Sequence, residues 1–140
     1  MPYRRTVQIE FNHCDPAKIV FYPRFLEFAN HVVENFFADV VGRSYRRIMD
    51  DGDGLPTVHL ECDFRIPSSL GDKVELTLRV VAVGRASLDV NIEGRGEGED
   101  ALRFTINKRL VWIDGRAMKS APWPDEVRAR LIEAQKEDAA

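Results

Sequence analysis

The run Asn12-His13-Cys14-Asp15-Pro16-Ala17-Lys18-Ile19-Val20-Phe21-Tyr22-Pro23 holds the densest set of groups able to do chemistry. Asp15 supplies a carboxylate that can attack a carbonyl carbon or draw a proton from water. Pro23 suits the first turn of a helix, so the backbone N–H groups near Tyr22 lie at a helix start. Unspent donors there, with the positive end of the helix dipole, can polarise a carbonyl oxygen. A carboxylate beside such donors outlines a hydrolytic site for a thioester: one group reaches the carbon and the other stabilises the oxyanion. The same spacing also fits plain structure, because Asp before Pro starts turns and a carboxylate at a helix start often caps it. His13, two residues before Asp15, can tune that carboxylate, touch a substrate or simply be solvated.

These groups need elements to hold them. Val7, Ile9 and Phe11 alternate with Thr6, Gln8 and Glu10, which predicts a half-buried strand before the motif. Phe25, Phe28, Val32 and Phe36 recur at helical spacing and predict a long helix with one apolar core stripe, from Pro23 to near Gly42. A short amphipathic turn from Tyr45 to Met49 follows. Val58, Leu60, Cys62 and Phe64 then alternate with His59, Glu61, Asp63 and Arg65, so His59 and Glu61 share the polar face and look into a cleft or into water. The next strand carries Val74, Leu76, Leu78 and Val80, and the slip at Val80-Val81 predicts a bulge. Leu88, Val90 and Ile92 form another, and Leu102, Phe104 and Ile106 begin the last, continued through Val111 and Ile113. Residues from about 124 to 140 read as a charged C-terminal helix or tail. One strand, one apolar helix and four closely connected strands predict an α+β fold, an antiparallel sheet curled around the helix in a single domain over residues 1–140. A β-grasp arrangement would also bury a helix on a sheet, whereas a ferredoxin-like one needs a second mid-chain helix that the pattern lacks.

Composition narrows the function classes. The net charge is −3 with no basic block, so nucleic acid is not an expected partner. No apolar run approaches the roughly 20 residues that cross a bilayer, and the start lacks the apolar stretch of a signal peptide, so a cytoplasmic address is expected. Cys14 and Cys62 are too few for a disulfide framework and are read as free thiols. There is neither a Gly-x-Ser-x-Gly elbow nor a His-rich metal spacing, so a serine hydrolase and a metal site are not expected.

The segments Ile9-Glu10-Phe11, Cys14-Asp15-Pro16-Ala17, Ile19-Val20 and Tyr22-Pro23 resemble the hot-dog thioesterases, in particular the 4-hydroxybenzoyl-CoA thioesterase group. Weaker agreement continues through Pro56, Phe64, Gly71-Asp72 and the turn from Gly84 to Ser87. The resemblance implies hydrolysis of an acyl-CoA to free acid and CoA without a cofactor, CoA being part of substrate and product. It implies Asp15 as nucleophile or general base, the Tyr22 amide as donor to the thioester oxygen, and Phe21 and Asn30 as acyl-pocket residues. Arg85 falls in a turn used against the CoA nucleotide, although an exposed turn arginine needs no such role. Subunits are expected to join their sheets in a dimer or dimer of dimers, with active sites at the interface. Lys18 stands where close relatives have glycine, and Asn30 where the hydroxybenzoyl enzyme turns an aspartate toward its substrate's phenol. The Tyr22-Pro23 pair favours an aromatic acyl group over the short-chain aliphatic branch, which carries histidine after the tyrosine. Another branch uses a helix glutamate, for which Glu27 and Glu34 would be counterparts; with Asp15 present they read as solvated. A hot-dog dehydratase or isomerase and a non-catalytic acyl-CoA binding protein remain as rivals.

Overall fold

The computed structural model describes residues 1–139. In chain order it comprises β1 (Tyr3–Gln8), α1 (Arg24–Phe36), α2 (Tyr45–Asp50), β2 (Asp53–Gly54), β3 (Thr57–Phe64), β4 (Lys73–Val83), β5 (Ser87–Gly96), β6 (Leu102–Val111), β7 (Ile113–Asp114), β8 (Lys119–Ser120) and α3 (Asp125–Ala139). The main sheet is antiparallel throughout, in the order β1-β4-β5-β6-β3. This is the hot-dog arrangement, a curved sheet around one long helix.

The apolar stripe of α1 is core, as its spacing requires: Phe25, Phe28, Val32 and Phe36 are all buried. A π-helical turn over Phe37–Val41 lengthens the helix, and Gly42 ends it in the left-handed region at φ 82. Val74, Leu76, Leu78 and Val80 of β4 face the helix and are shut from solvent. The predicted slip there is a bulge, with register shifting between Val80 and Ala82.

Three expectations need correction, and a fourth, the C-terminal helix, is met. The first strand ends at Gln8, and Phe11 lies in a 3-10 turn with 86% of its surface exposed instead of on a buried strand face. The last long strand ends at Val111; Ile113 leaves the main sheet and pairs with Gly54 in a small β2-β7-β8 sheet. The charged tail is a docked helix: Val127, Leu131 and Ala134 of α3 are buried, and α3 packs against β4. Finally, β3 alternates in sequence, yet both of its faces are open, Val58, Leu60 and Phe64 included. As an edge strand it is reached by α1 only at its Phe64 end, so alternation alone could not bury it.

Candidate active site

Asp15 sits near the tip of a small hairpin-like clip. Phe21 N–H donates to the His13 carbonyl (3.0 Å), Cys14 bridges Val20, and Asp15 N–H donates to the Ile19 carbonyl (3.0 Å). The tip closes with Lys18 N–H on the Asp15 carbonyl (2.9 Å) and Lys18 at φ 66, a left-handed conformation that favours glycine. Ala17 N–H donates to Asp15 Oδ1 at 2.8 Å, fixing the half-buried carboxylate by one oxygen. The capping alternative does not hold, because Pro23 occupies the N-cap of α1 and no side chain caps it.

The helix start is more selective than its sequence suggests. The Arg24, Phe25 and Leu26 N–H groups are spent on the carbonyls of Phe21, Tyr22 and Pro23. Tyr22 N–H has no acceptor among the described residues, and its ring stands in solvent at 63% exposure. The unspent donor and the fixed carboxylate stand on opposite arms of the clip, two to three residues of extended chain apart, or roughly 7–10 Å. A thioester carbonyl with a contact of about 3 Å on each side spans that gap.

The clip is anchored from the side. Val20 N–H donates to the Ser68 carbonyl (2.9 Å) and Leu70 N–H to the Lys18 carbonyl (3.1 Å). The 68–72 loop is held in turn by Arg103, a buried guanidinium that donates to Ser68 Oγ (3.2 Å) and Asp72 Oδ2 (2.9 Å) and also pairs with Glu99. The Ser69 backbone N–H and then Arg103 hold the Asp72 carboxyl below the usual carboxylate range. Sequence reading passed over Arg103 because one charged residue within a strand gives no pairing signal.

Below the clip lies an open pocket of about 290 Å³ lined by Val20, Tyr22, Phe25, Phe64, Arg65, Ile66 and Pro67. Its floor is a ring cluster in which Phe25 lies 5.3 Å from Phe64 and 4.7 Å from Phe104. Gly94 permits this: a Cβ there would sit 2.2 Å from the Phe104 ring.

The other expected residues divide. Phe21 is half-exposed with its ring centroid 5.4 Å from that of Tyr22, which lines the pocket; Phe21 itself does not. His13 braces the fold locally: its Nδ1 accepts the Glu10 N–H at 2.9 Å and its ring packs edge-on against Phe28. Asn30 is exposed on α1 and accepts a hydrogen bond from Lys108, which burial in β6 had hidden from sequence reading although it falls in the apolar phase of that strand. His59 is not brought to the site; it points from the outer sheet face, 3.1 Å from Glu61. Arg85 is exposed in the β4–β5 turn, at the sheet end opposite the Asp15 clip. Glu27 is solvated and paired with Arg24 at 2.7 Å, and Glu34 is exposed. Cys14 and Cys62 are free thiols. No described helix is long and apolar enough to cross a membrane.

The sequence profile of the Thioesterase-like superfamily matches residues 9–131. The chain belongs to this superfamily. A 1,4-dihydroxy-2-naphthoyl-CoA hydrolase of Synechococcus elongatus is 32% identical over 79 residues, 55% of this chain and 57% of the relative, so the match spans little more than half of that relative's length. Among solved structures, a 1,4-dihydroxy-2-naphthoyl-CoA thioesterase from Synechocystis aligns with a TM-score of 0.87 at 21% identity, covering 95% of this chain and 97% of its own. A Staphylococcus aureus protein solved in complex with CoA aligns at 0.90 with 17% identity, covering 97% and 85%. A gentisyl-coenzyme A thioesterase aligns at 0.81 with 22% identity, covering 89% and 98%. At these identities the structural matches speak for the fold, and the superfamily's residues 9–131 span the whole clip, α1 and the main sheet beyond β1.

Proposed function

We propose that this chain is a thioesterase that hydrolyses an aromatic acyl-CoA to the free acid and CoA. The observation that carries the reading is the unspent Tyr22 N–H on the arm of the clip opposite the fixed Asp15 carboxylate. With the thioester oxygen on Tyr22 N–H, negative charge developing on that oxygen is met by a donor that needs no rearrangement. Asp15 then acts in one of two ways. It takes a proton from a water that attacks the carbonyl carbon, or it attacks directly and forms a mixed anhydride that water cleaves. In both routes the C–S bond breaks, the thiolate leaves as CoA, and no metal or redox partner is called for. Labelled water separates the routes, since under single turnover only direct attack places solvent oxygen in Asp15.

An aromatic acyl group fits the ring-lined pocket of Phe25 and Phe64. The acyl groups in the names of the relatives, dihydroxynaphthoyl and gentisyl, are of this kind. The working form in this reading is a dimer or dimer of dimers joined through the open edge of β3, in the cytoplasm. An antiparallel pairing about the middle of β3 would bring the Arg85 end of one subunit beside the Asp15 end of the other, which is how a guanidinium at the far sheet end could serve the CoA phosphates.

The test is CoA release from benzoyl-, hydroxybenzoyl-, phenylacetyl- and straight-chain acyl-CoAs by the wild type and Asp15→Asn, with folding followed by circular dichroism. Release from the aromatic thioesters is expected to fall by about 10²–10⁴-fold in the folded variant. Equal release by the variant rejects Asp15 as the reacting group. No release from any thioester moves the reading to a binding protein or a dehydratase.

A further inference from the structure

A cavity of about 130 Å³ opens where the end of the α1 extension, α2 and the start of α3 meet. Its charged lining is three guanidiniums, those of Arg43, Arg47 and Arg130, and one carboxylate, that of Glu126. Thirteen residues of α1 and five of its π-helical extension separate this end from the Tyr22 N–H, roughly 27 Å at the helical rise. The cavity is therefore distinct from the Asp15 clip of the same chain.

Each guanidinium carries five N–H donors, and few of those present here are used. Arg43 is buried, with 8% of its surface exposed, and among the described residues its side chain has one acceptor, Glu126 Oε1 at 2.8 Å. Its remaining donors are not sealed in protein and open onto the cavity. Arg47 stands 3.8 Å from Asp51, beyond hydrogen-bond reach. Arg130 makes one long bond, 3.4 Å, to the Val40 carbonyl. The negative end of the α1 extension accounts for that last contact and leaves the other two guanidiniums unexplained. Glu126 is a weak answer to them: its side chain is 78% exposed, so water competes for it, and one carboxylate against three cations leaves the lining with an excess of positive charge. The first turn of α3 borders the same space through Glu126 and Val127, which adds the positive end of a 15-residue helix.

A dianion with several oxygens meets these demands together. Phosphate groups pair with guanidiniums through two bonds at a time, and at roughly 30 Å³ per water the cavity has room on the scale of about four waters, the size of a phosphate group. We propose that Arg43, Arg47 and Arg130 form a binding site for a phosphate monoester, with Glu126 giving up Arg43 to the ligand. Arg43 follows α1, Arg47 lies on α2 and Arg130 on α3, so a bound phosphate ties three elements together. The site stands independently of hydrolysis at Asp15. Its ligand has two possible sources, a separate phosphorylated small molecule or the phosphate monoester of CoA itself, because the Arg85 turn lies at this end: Trp123 N–H donates to the Arg85 carbonyl at 3.0 Å, just before α3 begins.

The experiment titrates inorganic phosphate into the full chain by calorimetry, with chloride holding the ionic strength constant, for the wild type, Arg47→Gln and Arg130→Gln. Both positions are exposed, so the variants are expected to fold, as circular dichroism checks. Saturable binding at one site per chain is expected, with a rise of at least about 3 °C in the melting midpoint at saturation and a loss of about tenfold or more in affinity in each variant. CoA and dephospho-CoA, which lacks the monoester, then separate the sources. Weaker CoA binding in the variants with dephospho-CoA unchanged assigns the site to the CoA monoester; equal CoA binding by wild type and variants assigns it to a separate phosphorylated molecule. Heat that does not saturate, a midpoint that chloride moves equally, or phosphate affinity unchanged in both variants overturns the assignment.

Discussion

Single side chains set the chemistry of the clip, and one of them is in tension with its backbone. Lys18 closes the Asp15 turn at φ 66, where an L side chain crowds the following carbonyl. Lys18→Gly is therefore expected to raise stability by up to about 1 kcal/mol, read as a higher urea midpoint, the gain being limited by glycine's looser unfolded chain. A lower midpoint would mean that the lysine side chain stabilises the clip in a way its backbone conformation does not reveal. Gly94 is the opposite case. Gly94→Ala would drive a methyl into the Phe104 ring, and a loss of roughly 1–3 kcal/mol is expected, with weaker turnover because Phe104 supports Phe25 at the pocket floor. An unchanged midpoint and unchanged kinetics would show that the ring can shift without cost.

Among elements, the brace between β6 and the 68–72 loop matters most for the site, because that loop holds the clip. Arg103→Met should cost about 2–3 kcal/mol, since it strips Ser68, Asp72 and Glu99 of a buried donor. It should also lower turnover more than it raises KM, by displacing Asp15; a change confined to stability would mean that the clip holds its shape unaided. The Asp72 carboxyl is depressed in the folded chain, so its contribution is fully present above its ordinary pKa of 3.8 and is lost as pH falls through the lower folded value. Asp72→Asn should accordingly be less stable than the wild type near neutrality but lose less between about pH 5 and pH 2, as followed by urea unfolding. Parallel acid profiles would assign the wild-type loss elsewhere. Sequence periodicity reached the elements whose faces are buried within one chain: the α1 stripe, the β4 alternation and its bulge at Val80 were all legible. It failed where tertiary context overrides a pattern. Phe11 continues the alternation of β1, yet the chain turns at Glu10 to bring Asp15 round, and Ile113 continues β6 in period but is captured by Gly54. The site residues split the same way. Asp15 and Tyr22 lie in one contiguous motif and could be named from it, whereas Arg103 braces the clip through Ser68 and Asp72, and Lys108 meets Asn30, all more than thirty residues away in the chain.

For the molecule as a whole, the open edge of β3 is the feature that a second subunit would complete. Leu60→Asp places a charge on the inner face of that edge, and the variant is expected to sediment as a monomer with little CoA release; a persistent dimer would place the subunit contact elsewhere. The opposite edge needs no such partner, since β1 carries Arg4 and Arg5, charges that discourage further pairing. The β4 bulge has a different completion. Asp138 Oδ2 accepts the Val80 N–H at 2.8 Å, and Gln135 donates to the Val81 carbonyl at 2.9 Å, so α3 satisfies backbone groups that the irregular strand leaves unpaired. Residues 80 and 138 are 58 apart. At roughly 5–20 residues per second of synthesis, the finished strand waits several seconds on the ribosome before its last acceptor is made, and a chaperone that covers β4 during that interval would stand in for a helix not yet translated.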